Sequence, residues 1–296
     1  MDFYKDLSEI LMVKFKEIGI EPPKGDLCTI LKGYINLSDK LINNKKRNVK
    51  VSNELKEQDF GEHYNLCLQQ IRNKFKNGID VNGYLSKGAF KPSQRDLLLY
   101  DWGIHHLHIN NKFDNGGFVE RSDYLLFFII DENNVYFIDV TRHKLENRTE
   151  FSQQELLRIV KRNWPYLIEP YRLKGFSSLE KKLTDKEHSE IRNSGAMAVV
   201  EIEGDIYGMI GGGITTARTN VQHTTKIDMV VSFLRDITKT MQENRKNFID
   251  SPYSNKMIHL TESYKLILEN ECFYIINEKT GLKIIESPSL YKIIFN

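Results

Sequence analysis

Helix-period patterns come first, then apolar runs joined by short turns, then a second round of both. This order predicts an α+β protein: a helical N-terminal part, an antiparallel β-meander with a packed helix, and a second small α+β unit at the C-terminus. Three observations carry the prediction. Leu7, Ile10, Leu11, Phe15 and Ile18 recur at helical spacing. Residues 124–130 are continuously apolar, and after the turn Asp131-Glu132-Asn133-Asn134 a second apolar run occupies residues 135–140. Finally, Ile227, Val230, Val231, Leu234, Ile237 and Met241 form one stripe within residues 221–246.

Taken in order, the first helix stops at Gly19 and Pro22-Pro23, and a second is expected over residues 26–42. The basic, Asn-rich stretch 43–50 reads as a solvated loop, with a phosphate-contacting patch as its alternative. A third helix is expected over 54–76, closing at Asn77-Gly78. Residues 102–109 read as a strand, with Trp102, Ile104, His106 and His108 on one face and Gly103, His105, Leu107 and Ile109 on the other. With the runs 124–130 and 135–140 this strand makes the meander. Ser152 and Glu155 have the spacing of a capping box, with Phe151 and Leu156 as its staple, for a helix that stops at Pro165. Thr184 and Glu187 repeat the signature for a helix ending at Gly195. A hairpin turns at Gly204-Asp205 and is broken by Gly211-Gly212-Gly213. The tail from about residue 265 is strand-like, with a turn at 277–281. The expected regions are 1–80 (helical), 81–175 (meander) and 176–296 (C-terminal α+β).

The bulk numbers exclude more than they assign. A chain of 296 residues, 40% hydrophobic and 28% charged, is ordinary for a globular protein. A formal charge of +2 announces no nucleic-acid partner by its global field. Three scattered cysteines without a CxxC pair point to a reducing cytoplasm. Neither a leader nor a membrane span is expected, so the chain should be soluble and cytoplasmic. No cofactor is expected, because the glycines lack the spacing of a dinucleotide fold or P-loop.

The chemistry-bearing stretch is His105-His106-Leu107-His108, which holds three of the eight histidines. Imidazole exchanges protons near neutrality and ligates metals. Metal-independent RNA cleavage needs a base for the ribose 2′-hydroxyl, an acid for the leaving oxygen and a cation for the phosphorane. His106 or His108 with His143 supplies the base–acid pair. Arg121 supplies the phosphate clamp, with Tyr136 and Thr141 to orient it. The alternative is a metal-dependent hydrolase holding Zn²⁺ or Mn²⁺ on His106 and His108, with His143 or Asp139 as third ligand. A further alternative is a non-enzymatic, oligomeric binding or assembly protein. His105 faces the other way and reads as structural, while His63, His188 and His223 read as surface or interface residues.

Helices leading into an antiparallel meander with scattered His, Arg, Thr and Tyr resemble the small bacterial ribonuclease toxins of the barnase–EndoU–colicin–RelE type. The similarity covers about residues 54–165 and would match His106, His108, Arg121, Thr141 and His143. It implies a metal-independent endoribonuclease of toxin or phage-defence type, with RNA as substrate and an antitoxin or regulatory protein as partner. The large C-terminal region departs from those compact toxins, and a homo-oligomer is a further expectation. Two other stretches are candidate anion sites. The run 208–216, with three consecutive glycines, reads as a turn, and 83–91, basic and aromatic, gives mild support for a nucleic-acid contact.

Overall fold

The computed structural model describes residues 1–143, 149–176, 178–243 and 263–295. The architecture is α+β. Helix α1 (Phe3–Ile18) starts where the Asp2 carboxylate accepts from Lys5 N at 3.0 Å, and ends at Gly19 in the left-handed conformation. Its buried stripe is Phe3, Leu7, Leu11 and Phe15. Helix α2 (Leu27–Lys40) follows.

The basic stretch then departs from expectation. Asn48–Val51 is strand β1, and Arg47 is buried, its guanidinium donating to the Asp131 and Asn43 carbonyls. A run read as solvated for its charge thus contributes a strand and a structural cation. The single helix expected over 54–76 is also broken. A short α3 (Asn53–Lys56), capped by Ser52, is followed by Gly61 at φ 82° and then α4 (Glu62–Asn77). A positive φ cannot continue a right-handed helix.

Helix α5 (Leu97–Trp102) lies where part of a strand was expected, so Trp102 belongs to a helix and not to the histidine face. Asp96 caps it by accepting from Leu99 N, and Gly103 ends it at φ 68°. What remains of the expected strand is β2 (His105–His108). Strands β3 (Tyr124–Ile130) and β4 (Asn134–Arg142) complete the meander. Helix α6 (Glu155–Asn163) begins at Gln154 without a side-chain cap. The Ser152 hydroxyl donates instead to the Thr149 carbonyl, so the expected capping box does not form. The second box does form: α7 (Asp185–Ser194) has reciprocal Thr184 and Glu187 bonds and ends at Gly195. Strands β5 (Val200–Ile202) and β6 (Asp205–Tyr207) make the expected hairpin. Helix α8 (Val221–Glu243) buries Val230, Leu234, Ile237 and Met241; the end expected at 246 lies outside the described residues. Strands β7 (Tyr264–Glu269), β8 (Cys272–Asn277) and β9 (Lys283–Ser287) lead to α9 (Pro288–Phe295).

Packing sorts the chain into two compact units, residues 1–38 with 222–296, and residues 39–221. This partition joins the two chain ends, which no division into consecutive stretches does. In the first unit the sheet β7-β8-β9 is antiparallel, α1 packs on β7, and Asp6 accepts from Leu266 N at 2.8 Å. In the second unit the sheet order is β1-β4-β3-β2, with β1 parallel to β4 and the rest antiparallel. One face packs Leu125, Phe127, Tyr136 and Ile138 against Leu156, Leu157 and Val160 of α6. The other packs Leu107, Leu126, Phe128 and Phe137 against Ile71 and Phe75 of α4. A sheet covered on both faces explains why residues 124–130 are apolar without alternation.

Candidate functional site

Strand alternation places the histidines as the pattern implied. His105 stacks on Phe128 with ring centroids 5.3 Å apart, towards the α4 side. His106 points to the opposite face, with its ring 5.0 Å from that of Phe151 and 6.2 Å from that of Phe127. His108 shares the His106 face. The register sets His108 opposite Leu125, and Leu125 opposite Thr141, so His108 and Thr141 lie in one row across three strands.

His143, just past the end of β4, stacks on His108 with centroids 5.5 Å apart and planes 21° from parallel. Its backbone N–H donates to the Asp123 carbonyl at 2.6 Å, which ties the strand end to the approach to β3. His108 Nδ1 and Thr141 Oγ1 are both buried and find no hydrogen-bond partner among the described residues. Unpaired buried polar atoms are uncommon in folded proteins, and these two lie on one sheet row.

The electrostatics follow from burial. Loss of solvent pushes His108 down to about 4, and the charges of His106, His143 and Arg121 add to the depression. Burial lowers His106 as well, against the opposing charge of Asp96. His105 falls to about 4, again mainly by desolvation. All three rings of β2 are therefore neutral at pH 7.

Of the six expected site residues, the fold gathers His108, His143, Arg121 and Thr141, with His106 two positions away on the same strand face. Tyr136 does not join them. It lies five residues before Thr141 on β4, roughly 16 Å along the strand. There its hydroxyl donates to Asp131 at 2.9 Å and accepts from Tyr166 at 3.3 Å. No known family model, curated protein or solved structure matches this chain. Among the described residues no group of three or more His, Cys, Asp or Glu is gathered as for a metal ion. Nor is any described helix long and apolar enough to cross a membrane.

Residues outside the expected set also surround the histidines. Asp96 Oδ2 lies 3.9 Å from His106 Nδ1. Behind it is a buried ionic cluster: Asp101 meets His188 Nε2 at 2.9 Å and Arg192 Nε at 2.8 Å, and the Arg192 guanidinium lies 4.4 Å from the Trp102 ring centre. Arg192 also donates to the Phe151 carbonyl. His188 is thus a core residue, because Asp101 and Trp102 of α5, distant in sequence, cover it, and His223 is buried too. His63 is exposed, as expected. The Asp96 cap was discoverable from an acidic residue standing directly before Leu97-Leu98-Leu99, and His188 with Arg192 from their i, i+4 spacing on α7.

The glycine run is spent on packing. Gly211 N donates to the Asp101 carbonyl at 2.8 Å and Gly213 N to the Tyr100 carbonyl at 2.9 Å, which satisfies the end of α5. A Cβ on Gly211 would overlap Gly103 N and Leu99 O, so only glycine fits there. In the stretch 83–91, Tyr84 is buried and Phe90 packs edge-on against Phe118 with centroids 5.0 Å apart. Its aromatic rings are used in packing.

Proposed function

We infer that the protein is a metal-independent endoribonuclease of toxin or phage-defence type, working at the His108–His143 pair. The observation that supports this most is the stacked pair itself. One imidazole from β2 and one from just past the end of β4 meet near an arginine and a threonine, with His108 Nδ1 and Thr141 Oγ1 unspent among the described residues. His108, held neutral, takes the proton of the ribose 2′-hydroxyl. The freed oxygen attacks the adjacent phosphorus. His143, as the acid of the pair, returns a proton to the departing 5′-oxygen. Arg121 offsets the charge of the phosphorane, for which a planar guanidinium is suited, and Thr141 offers a hydroxyl to a phosphate oxygen. The products are a 2′,3′-cyclic phosphate and a 5′-hydroxyl.

The test is cleavage of a structured RNA by purified protein in excess EDTA. Cleavage is expected to persist in EDTA and to fall about 10²–10⁴-fold in His143→Ala. Arg121→Ala should lower it by a comparable factor and relieve growth arrest when the protein is expressed in a host. An RNA left intact by the native protein, or cleaved equally well by both variants, would sink the reading.

A further inference from the structure

In unit 39–221 the sheet edge farthest from the histidines, strand β1, keeps backbone groups unspent. Asn48 N donates to the Asn133 carbonyl at 2.9 Å and Ser52 N to the Phe137 carbonyl at 3.0 Å. In the parallel register with β4, Lys50 faces the same way. A parallel strand turns the N–H and C=O of one residue to the same side, so those of Val49 and Val51 point away from the sheet. These groups have no hydrogen-bond partner among the described residues. Unpaired edge groups of this kind are a template for a further strand.

A cavity of about 810 Å³ lies against this edge, lined by Val49, Lys50 and Val51. Phe60 and Leu68 form its apolar wall on the α4 side, where Val49 and Val51 also pack, and Trp164 forms the wall on the α6 side. The rim is charged in one sense. Lys50, Lys56 and Arg72 are exposed on the lining, and no carboxylate lies there. Lys50 Nζ donates to the Tyr166 hydroxyl at 3.1 Å and Lys56 Nζ to Asn53 Oδ1 at 3.1 Å. None of the three cations forms an ion pair among the described residues. Carboxylates of the neighbouring elements are held elsewhere, Glu54 by Arg162 and Asn163, and Asp139 by Gln58. The edge therefore offers backbone hydrogen bonds, apolar walls and uncompensated positive charge.

We propose that β1 is a docking edge for an extended acidic segment of another protein, which adds a fifth strand to the sheet β1-β4-β3-β2. Hydrogen bonds to Val49 and Val51 set its register, alternate apolar side chains fill the walls, and its carboxylates meet Lys50, Lys56 and Arg72. A second copy of this chain is a poor occupant, because β1 laid against β1 brings the same three cations together. The edge lies three strands from β2, about 14 Å, so the proposal does not rest on the ribonuclease reading.

Calorimetric titration of the full chain with acetylated hexapeptides that alternate glutamate with valine, isoleucine or phenylalanine tests it. At least one is expected to bind saturably and about tenfold or more tighter than its lysine-alternating counterpart. The same peptide methylated on every backbone nitrogen should lose a similar factor, because it cannot donate to the edge. Arg72→Glu, on the exposed face of α4, reverses one rim charge and should weaken binding about tenfold. Val49→Pro deletes an outward N–H that β4 does not use, a change edge strands tolerate, and should weaken binding by a similar factor in a protein still folded by circular dichroism. On binding, hydrogen exchange at the Val49 and Val51 amides should slow. No saturable binding at millimolar peptide, equal binding of the acidic and lysine peptides, or undiminished binding of the methylated peptide would each overturn the proposal without any variant of the protein. A native dimer in sedimentation that Val49→Pro dissociates would assign the edge to a second copy instead. A single-stranded oligouridine that binds more tightly than every peptide, and is lost in Arg72→Glu, would make the cavity a nucleic-acid groove and likewise overturn the proposal.

Discussion

His105, His106 and His108 fall within four consecutive positions and meet three environments: a Phe128 stack, a cavity wall beside Asp96, and the ring of His143. That His106 and His108 share a face follows from the two-residue period of a strand, and it was legible from the sequence. Their partners were not. Asp96, Phe151 and Arg192 come from elements whose approach is set by tertiary packing, and Tyr136 is excluded by strand length, which residue types do not reveal. The depressed values have two measurable consequences. On the proposed mechanism, with His108 as the base, the acid limb of kcat/KM is expected near pH 4 and not near the ordinary histidine value of about 6.5. Stability follows the same sign. Between pH 6.5 and 4 the unfolded chain binds protons that folded His105 does not, so acidification destabilises. The full shift corresponds to about 3 kcal/mol, with Asp96 and Asp39 opposing it and His106 and Arg47 reinforcing it. Thermal melts should show Tm falling across this window, and less steeply in His105→Gln. Parallel slopes for the two proteins would contradict the assignment.

At the scale of elements, α5 is only six residues long and is held from outside itself. Asp96 caps its start, glycine N–H groups from residues 211 and 213 cap its end, and Asp101 on it is locked to His188 and Arg192. Its sequence, rich in leucine and aromatic residues, fits a strand as readily as a short helix, which is why the boundary at Gly103 was misplaced. Three substitutions probe the arrangement, one of them a control outside it. Gly211→Ala drives a methyl into the α5 backbone and is expected to cost about 2–4 kcal/mol. Gly204→Ala, in the open β5–β6 turn at φ 85° with nothing near its added Cβ, should cost only about 1 kcal/mol. Asp101→Ala leaves Arg192 buried without its carboxylate and should cost about 3–5 kcal/mol. Chemical denaturation midpoints order the three, and a Gly211→Ala protein as stable as Gly204→Ala would show that the close approach is not maintained in solution.

For the molecule as a whole, the fold class was legible because each element carries its own periodicity. The association of the chain ends was not, since no local pattern says that α1 will lie on a strand more than 240 residues later. The bond from Leu266 N to Asp6, with the buried α1 stripe, makes that association concrete. Removing residues 1–18 should therefore raise hydrogen exchange of the amides in β7, with the sheet β1-β4-β3-β2 keeping its protection; unchanged exchange in β7 would contradict this. The same partition bears on biosynthesis. A ribosome releases chain from the N-terminus onward, so every residue of unit 39–221 is available once synthesis has passed Val221. Helix α1, although made before that unit, must keep Phe3, Leu7, Leu11 and Phe15 uncommitted until β7 emerges. A segment translated ahead of unit 39–221 thus reaches its final packing after that unit is complete.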